Sequence, residues 1–222
     1  MYKIAAMKQK HIYSHRFSES DRKVRTLLWQ ELYDGFLSQF IRSKDTVLDI
    51  GAGSLEFLES ARCRKKLAVD RLYATNSKNH GIFCYRTLTS INKKYMHSID
   101  VVMLSNVLEH LESREEMFSI LNQIKRLLKP DGSLLIIQPT IDLVETRYWD
   151  FIDHIIPITR TSLKEALIVA GYRIELFIPR FLPYTTKTKI PQSKTLLKMY
   201  LMIPWFLRPL AGQCFVRAVP KK

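Results

Sequence analysis

The sequence predicts an α/β protein: a doubly wound, mostly parallel β-sheet with helices on both faces. Short aliphatic and β-branched runs alternate along the chain with stretches of helical period, the pattern that buries a parallel sheet between helix layers. No internal repeat or low-complexity linker interrupts that alternation, so residues 1–222 are expected to form one domain with a sizeable core.

Each element has its own signal. Residues 46–51 are a buried strand that breaks at Gly51, and residues 54–64 place Leu55, Leu58 and Ala61 at helical spacing. A second strand spans 66–70 and ends at Asp70; residues 82–85 and 99–104 supply two more. Ser113 and Glu116 form a capping box, and the helix it opens sets Met117, Ile120, Leu121, Ile124 and Leu128 on one face. Residues 129–132 (KPDG) stop that helix in a turn, and the strand 133–138 follows. A helix over 161–170 closes at Gly171, and 173–178 and 214–219 are the last two strands. Three flanking or core stretches result: a largely helical N-terminal segment, 1–44; a core, 45–178; and a proline-punctuated insert, 179–212, before a last strand in 213–222.

Composition narrows the class. The N-terminus is basic but carries no apolar core run, so no secretory leader is expected; the most apolar stretch, 196–208, is broken by charge and proline and is too short to span a bilayer. Cys63, Cys84 and Cys214 are odd in number and far apart, which predicts reduced packing residues in a cytoplasmic protein and no metal site. The net charge of +14 is unevenly placed: residues 45–172 hold 16 basic and 16 acidic residues, 1–44 hold 9 against 4, and 173–222 hold 10 against 1. A neutral body with basic flanks suits something anionic.

The turn Gly51-Ala52-Gly53 carries the chemistry. Two glycines at a strand end let backbone approach a ligand closely. A dinucleotide site would place a third glycine where Glu56 stands, and that acid occupies the spot an anionic pyrophosphate needs; the G-K-[ST] of a triphosphate loop is missing as well. Asp49 before the turn would repel phosphate but suits an ammonium or sulfonium, and Asp70 can take two ribose hydroxyls. A ribose, a cationic head and no phosphate describe S-adenosylmethionine.

With VLDIGAGSLEF (47–57), AVD (68–70), IDVVMLSNVLEHL (99–111) and LLKPDGSLLIIQPT (127–140) in that order, the chain resembles the class I S-adenosylmethionine-dependent methyltransferases. The resemblance implies a Rossmann-like sheet of seven strands with an antiparallel strand at the C-terminus. It implies that Asp49, Gly51, Ala52 and Gly53 meet the methionine part of the cofactor, that Asp70 holds the ribose, and that Ser105, Asn106 and Val107 line the pocket. Leu55 stands where the family usually has a third glycine, and no residue in 85–88 matches its acidic adenine contact.

For the acceptor, His110 follows the fourth strand, and His154 follows the fifth in YWDFIDH, with Asp150 four residues before it, placed to orient the imidazole on a helical turn. YWDFIDH, PRFLPY (179–184) and the apolar C-terminal segment are similar to a subgroup associated with surface-polysaccharide and sugar biosynthesis. That likeness makes a sugar, nucleotide-sugar or lipid-linked saccharide the expected acceptor, O-methylated, with Tyr148, Arg180 and Tyr184 as contacts. An anionic acceptor fits Arg180, Lys187, Lys189 and Lys194, and Tyr13, Arg16, Phe17 and Trp29 would serve an N-terminal lid. No DNA partner is expected. RNA methylation is the first rival, though no RNA-binding module or NPPY-type motif is present; a non-catalytic, partner-binding subunit is the second. Residues 196–212 also suit a peripheral membrane contact, with Lys198 and Arg208 at the headgroups.

Overall fold

A computed structural model describes residues 19–73, 77–184 and 193–221. The chain begins with α1 (Glu19–Gly35) and a 3-10 turn (Leu37–Phe40), then runs β1 (Thr46–Ile50), α2 (Glu56–Ser60), β2 (Lys65–Val69), β3 (Ser77–Asn79), β4 (Ile82–Tyr85) and α3 (Thr89–Tyr95). It continues through β5 (Ile99–Ser105), α4 (Arg114–Leu127), β6 (Leu128–Pro139), α5 (Ile141–Val144), α6 (Arg160–Val169), β7 (Tyr172–Pro183), α7 (Lys194–Met202) and β8 (Ala211–Pro220).

The strands form a single sheet in the order β3-β4-β2-β1-β5-β6-β8-β7. Pairing is parallel from β4 through β6; β8 runs antiparallel between β6 and β7, and β3 is antiparallel to β4. Alternate strand residues feed two separate cores, as a sheet covered on both faces requires. Leu48, Ile50, Val102, Leu104 and Ile136 pack with Ile91 of α3, Leu121 and Ile124 of α4 and Leu163 and Leu167 of α6. On the opposite face Val47, Val101, Met103, Leu135 and Phe215 pack with Leu32 and Tyr33 of α1 and Phe57 and Leu58 of α2.

Three departures from the expected elements have local causes. The sheet has eight strands instead of seven because β3 is a short edge strand whose residues are all exposed, so no apolar pattern marks it. β6 starts at Leu128: the residues read as a turn stay within the strand, where the pairing with β5 slips between Ile99 and Val101. Gly132 suits that slip, since a Cβ there would lie 2.9 Å from the Ile99 carbonyl oxygen. β7 runs on to Pro183 through register shifts near Ile178 and Leu182, so residues 179–183 of the expected insert belong to the sheet.

The N-terminal lid residues Tyr13, Arg16 and Phe17 and the insert's Lys187 and Lys189 lie outside the described residues. Trp29 sits on α1 with its ring 5.4 Å from that of Phe57, a packing position against α2. Among the described residues no helix is long and apolar enough to cross a membrane.

Candidate active site

β1 lies beside both β2 and β5, so the strand order reverses at its C-terminal end, where open α/β sheets hold their ligands. There the chain leaves β1 through Gly51 (φ 73°) and Gly53 (φ 48°), left-handed conformations that glycine adopts without cost. The Gly51 N–H donates to the Val69 carbonyl at 2.8 Å, and the Gly53 N–H donates to Asp70 Oδ2 at 2.9 Å. Asp70 Oδ1 accepts from the Leu72 N–H at 2.8 Å, and the Tyr73 hydroxyl donates to the Gly53 carbonyl at 2.7 Å. Asp70 therefore clamps the turn against the end of β2. A carboxylate can accept about four hydrogen bonds, so capacity for a ligand's hydroxyls remains.

Val107, just past β5, closes the cradle. A Cβ on Gly51 would approach Val107 Cγ2 to 2.6 Å, so only a bare backbone fits. Asn106 turns the chain there with φ 53°, its N–H bonded to the Ile137 carbonyl at 3.0 Å and its side-chain amide donating to Ser105 Oγ at 3.4 Å.

The electrostatics of this cradle are one-sided. Asp49 is buried and its carboxyl is held well above the ordinary carboxylate range, first by burial and then by the charges of Asp70 and Glu56. Glu56 is itself paired with Arg25 of α1 at 2.7 Å. A buried acid facing like charge is relieved by a cation.

Leu55 holds the position of the expected third glycine in a left-handed conformation, φ 75°, as the residue capping α2, and its side chain is buried in the core under α1. The strain of roughly 1–3 kcal/mol is offset by burial of a leucine, about 1.5–3 kcal/mol.

A second cluster occupies the same sheet edge, at the ends of β5 and β6. Ser105 pairs with Ile137, so Glu109, four residues past β5, comes back onto Gln138, the next residue of β6: Gln138 Nε2 donates to Glu109 Oε2 at 3.0 Å. Both side chains are fully buried, and burial raises the Glu109 carboxyl against the lowering effect of His110 and Gln138. His110 Nδ1 lies 2.9 Å from the Asp153 carbonyl oxygen, which can only accept, so Nδ1 carries the hydrogen. Its Nε2 then faces Glu109 Oε1 at 3.9 Å. The His154 ring stacks edge-on to His110 and Tyr148 at 4.9 and 4.7 Å. Atoms of Glu109, His110 and His154 that can ligate a metal lie within 4.8 Å of one another, a donor set that a divalent cation would also accept.

The remaining expected residues fall elsewhere. Asp150 is exposed at the end of a 3-10 turn (Glu145–Asp150), after which Phe151 is extended and a separate turn, closed by the His154 N–H to the Phe151 carbonyl at 3.1 Å, carries His154, so the helical four-residue spacing is never realised; the carboxylates facing His110 are those of Glu109 and Asp153. Tyr148 and Tyr184, expected to touch acceptor, are buried: the Tyr148 hydroxyl donates to the Ile156 carbonyl at 2.6 Å and the Tyr184 hydroxyl to the Tyr148 carbonyl at 3.3 Å. They form a wall beside His154. Arg180 donates to the Arg208 carbonyl from Nε and Nη2, at 3.3 and 3.0 Å, which ties β7 to the segment after α7. Glu109, Gln138, Asp153 and Tyr73 also adjoin these two clusters and are not among the residues the sequence singles out. A polar residue closing an apolar strand run, as Gln138 does, is the signal that could have found it.

The model of the methyltransferase domain family matches residues 20–176. The chain belongs to that family. The methyltransferase uses S-adenosylmethionine, and the Gly51–Val107 cradle with its buried acid and the Asp70 oxygens fits that group. No curated protein sequence matches this chain. Its fold is similar to that of an S-adenosylmethionine-dependent methyltransferase from Archaeoglobus fulgidus (20% identity, TM-score 0.61, covering 88% of this chain and 94% of that one). It is similar too to a Haloferax volcanii methyltransferase solved with the Trm112 activator (16% identity, TM-score 0.62, covering 95% and 96%). A third likeness is to the Burkholderia thailandensis 1,6-didemethyltoxoflavin-N1-methyltransferase with bound 1,6-didemethyltoxoflavin and S-adenosylhomocysteine (16% identity, TM-score 0.58, covering 99% and 89%).

Proposed function

We propose that this methyltransferase methylates a hydroxyl of a small or glycan-type acceptor: a sugar, a nucleotide-sugar or a lipid-linked saccharide. The observation that carries the reading is the Glu109–His110–His154 cluster on the same sheet edge as Asp49 and Gly51, one strand further along. A hydroxyl, unlike a thioether or a tertiary amine, must lose a proton as its oxygen takes the methyl group. A positioned base contributes roughly 10²–10⁴-fold to such a step.

The side chains divide the work. Asp49, Gly51, Gly53 and Asp70 hold the methyl donor, which supplies an electrophilic methyl group when bound. The bare backbone at Gly51 sets how closely donor and acceptor approach, and near-attack placement contributes about 7–11 kcal/mol. His110, its tautomer set by the Asp153 carbonyl, offers Nε2 as proton acceptor. Glu109 is buried beside it, with Oε1 3.9 Å from that Nε2. The buried ring of His154, packed on Tyr148 and Phe151, fills the wall that keeps water from the reacting oxygen. When bound, the donor would supply the methyl group and its sulfur would keep the bonding electrons, while His110 would take the proton that the acceptor hydroxyl gives up.

The test is a side-by-side screen of donor consumption with nucleotide-sugars, lipid-linked saccharides and tRNA. Turnover on a saccharide, abolished in His110→Ala with donor binding intact, is the expected result. Turnover on tRNA alone, in a family whose Haloferax neighbour is solved with the Trm112 activator, would replace the saccharide reading.

A further inference from the structure

Between Leu196 and Leu210 the chain presents seven large apolar side chains to solvent: Leu196, Met199 and Met202 from α7, Trp205, Phe206 and Leu207 from the 3-10 turn that follows, and Leu210. Met202, Phe206, Leu207 and Leu210 are each more than 60% exposed, at 76%, 61%, 64% and 62%. So dense a run is unusual for a surface in contact with water alone.

The exposure belongs to a built surface. The opposite face of α7 is anchored, with Leu197 and Leu201 packed into the core under α1. Arg208, buried, ties the tip down through three hydrogen bonds: Nε to the Ile203 carbonyl (3.0 Å), Nη2 to the Leu201 carbonyl (2.9 Å) and Nη1 to the Phe181 carbonyl (3.2 Å). Its guanidinium also lies over the rings of Phe181 and Tyr200. The Tyr200 hydroxyl donates to the Pro209 carbonyl at 3.1 Å. The apolar groups are held outward by these contacts.

Charge identifies the partner. After Glu175 the sequence contains no acidic residue and nine lysines and arginines. Lys194 and Lys198 are exposed on α7, bordering the Leu196–Met199–Met202 stripe. A second copy of this chain would bring the same uncompensated cations face to face with these. Protein interfaces are in general depleted of lysine, whereas interfacial membrane helices combine Trp, Phe and Leu with a lysine border.

We propose that α7 and the Trp205–Leu207 turn form a peripheral binding surface for a bilayer leaflet carrying anionic lipid headgroups. The Met, Trp, Phe and Leu side chains enter the headgroup–acyl boundary, and Lys194 and Lys198 stay at the phosphates. Among the described residues no helix is long and apolar enough to cross, and α7, nine residues long, would lie in the plane of the surface. The inference stands apart from the acceptor reading, because it concerns location and uses none of the site residues.

The experiment is flotation of the full chain with phosphatidylcholine vesicles, with and without phosphatidylglycerol. Wild type floats with the anionic vesicles and far less with the neutral ones. Phe206→Ser with Leu207→Ser lowers partitioning by about tenfold or more, and Lys194→Gln with Lys198→Gln lowers it by about tenfold on anionic vesicles only. All four positions are exposed, so both double variants keep the wild-type circular dichroism and affinity for S-adenosylhomocysteine. Failure of wild type to float with anionic vesicles overturns the inference, as does unchanged flotation of the Phe206/Leu207 variant. A wild-type dimer in solution that this variant dissociates, with no vesicle binding, assigns the face to a second copy instead.

Discussion

Gly51 and Val107 touch across the end of β1: a Cβ on the glycine would sit 2.6 Å from Val107 Cγ2, and the glycine holds φ 73°. Strands that are neighbours in the sheet but distant in sequence thus share one wall of the cofactor cradle.

Gly51→Ala therefore meets two penalties, a strained left-handed backbone and a methyl group driven into Val107. Isothermal titration is expected to show S-adenosylhomocysteine affinity reduced tenfold or more, with stability lowered by about 1–3 kcal/mol. Gly51→Ala with Val107→Ala should recover part of the affinity. Equal affinity in wild type and Gly51→Ala would remove the cradle from the binding site.

Asp49 links stability, pH and cofactor. Its folded-state carboxyl is raised above the unfolded value by burial and by Asp70 and Glu56, so the folded protein binds a proton the unfolded chain has released. Stability from this group is greatest below the ordinary carboxylate pKa, falls as pH rises toward the raised value, and is fully lost above it. Asp49→Asn, isosteric and uncharged, should raise the melting temperature of the cofactor-free protein at neutral pH. It should also weaken S-adenosylmethionine binding by tenfold or more, as loss of a charge-assisted contact of about 1.5–3 kcal/mol requires. A variant no more stable than wild type at neutral pH and unimpaired in binding would contradict both halves.

Leu55 separates strain from packing. Leu55→Ala keeps the left-handed backbone but gives up the buried side chain, and is expected to cost about 2–4 kcal/mol in chemical denaturation. Leu55→Gly gives up the same side chain while relieving the backbone, so it should cost less by about 1 kcal/mol. Were the glycine variant the less stable of the two, the strain at this cap would be negligible.

The histidine cluster distinguishes proton transfer from metal chemistry. His110→Ala and Glu109→Gln should each lower kcat by roughly 10²–10⁴-fold while leaving affinity for S-adenosylhomocysteine unchanged. Dialysis against a chelator should leave turnover intact. Activity lost on chelation and restored by zinc or manganese would reassign Glu109, His110 and His154 as ligands.

Much of the candidate site was legible because its signals are local. Gly51 and Gly53 after an apolar run, Asp49 near the end of β1 and Asp70 just past β2 all act through neighbours a few positions away; of the capping box, Ser113 accepts from the Glu116 N–H, while the Glu116 carboxylate accepts from the Glu112 N–H in place of Ser113. Asp150 shows where such reading stops: its distance from His154 suits a helix, but the 3-10 turn ends at Asp150 and a separate turn carries His154, and Asp153 and Glu109 take the place by His110. The short strand β3 escaped because edge residues exposed on both faces carry no apolar period.

By itself the sequence determined the alternating α/β architecture, the ligand-holding turn and the charge of the ligand it suits, since strand propensity, glycine freedom and like-charge repulsion are properties of short segments. Tertiary structure alone decided that Glu109 meets Gln138, that Tyr148 and Tyr184 are buried with their hydroxyls on backbone carbonyls, and that Leu197 and Leu201 point inward while Met199 and Phe206 face out. Burial is assigned by which distant elements pack together, and a side chain of given polarity takes its role from that partner.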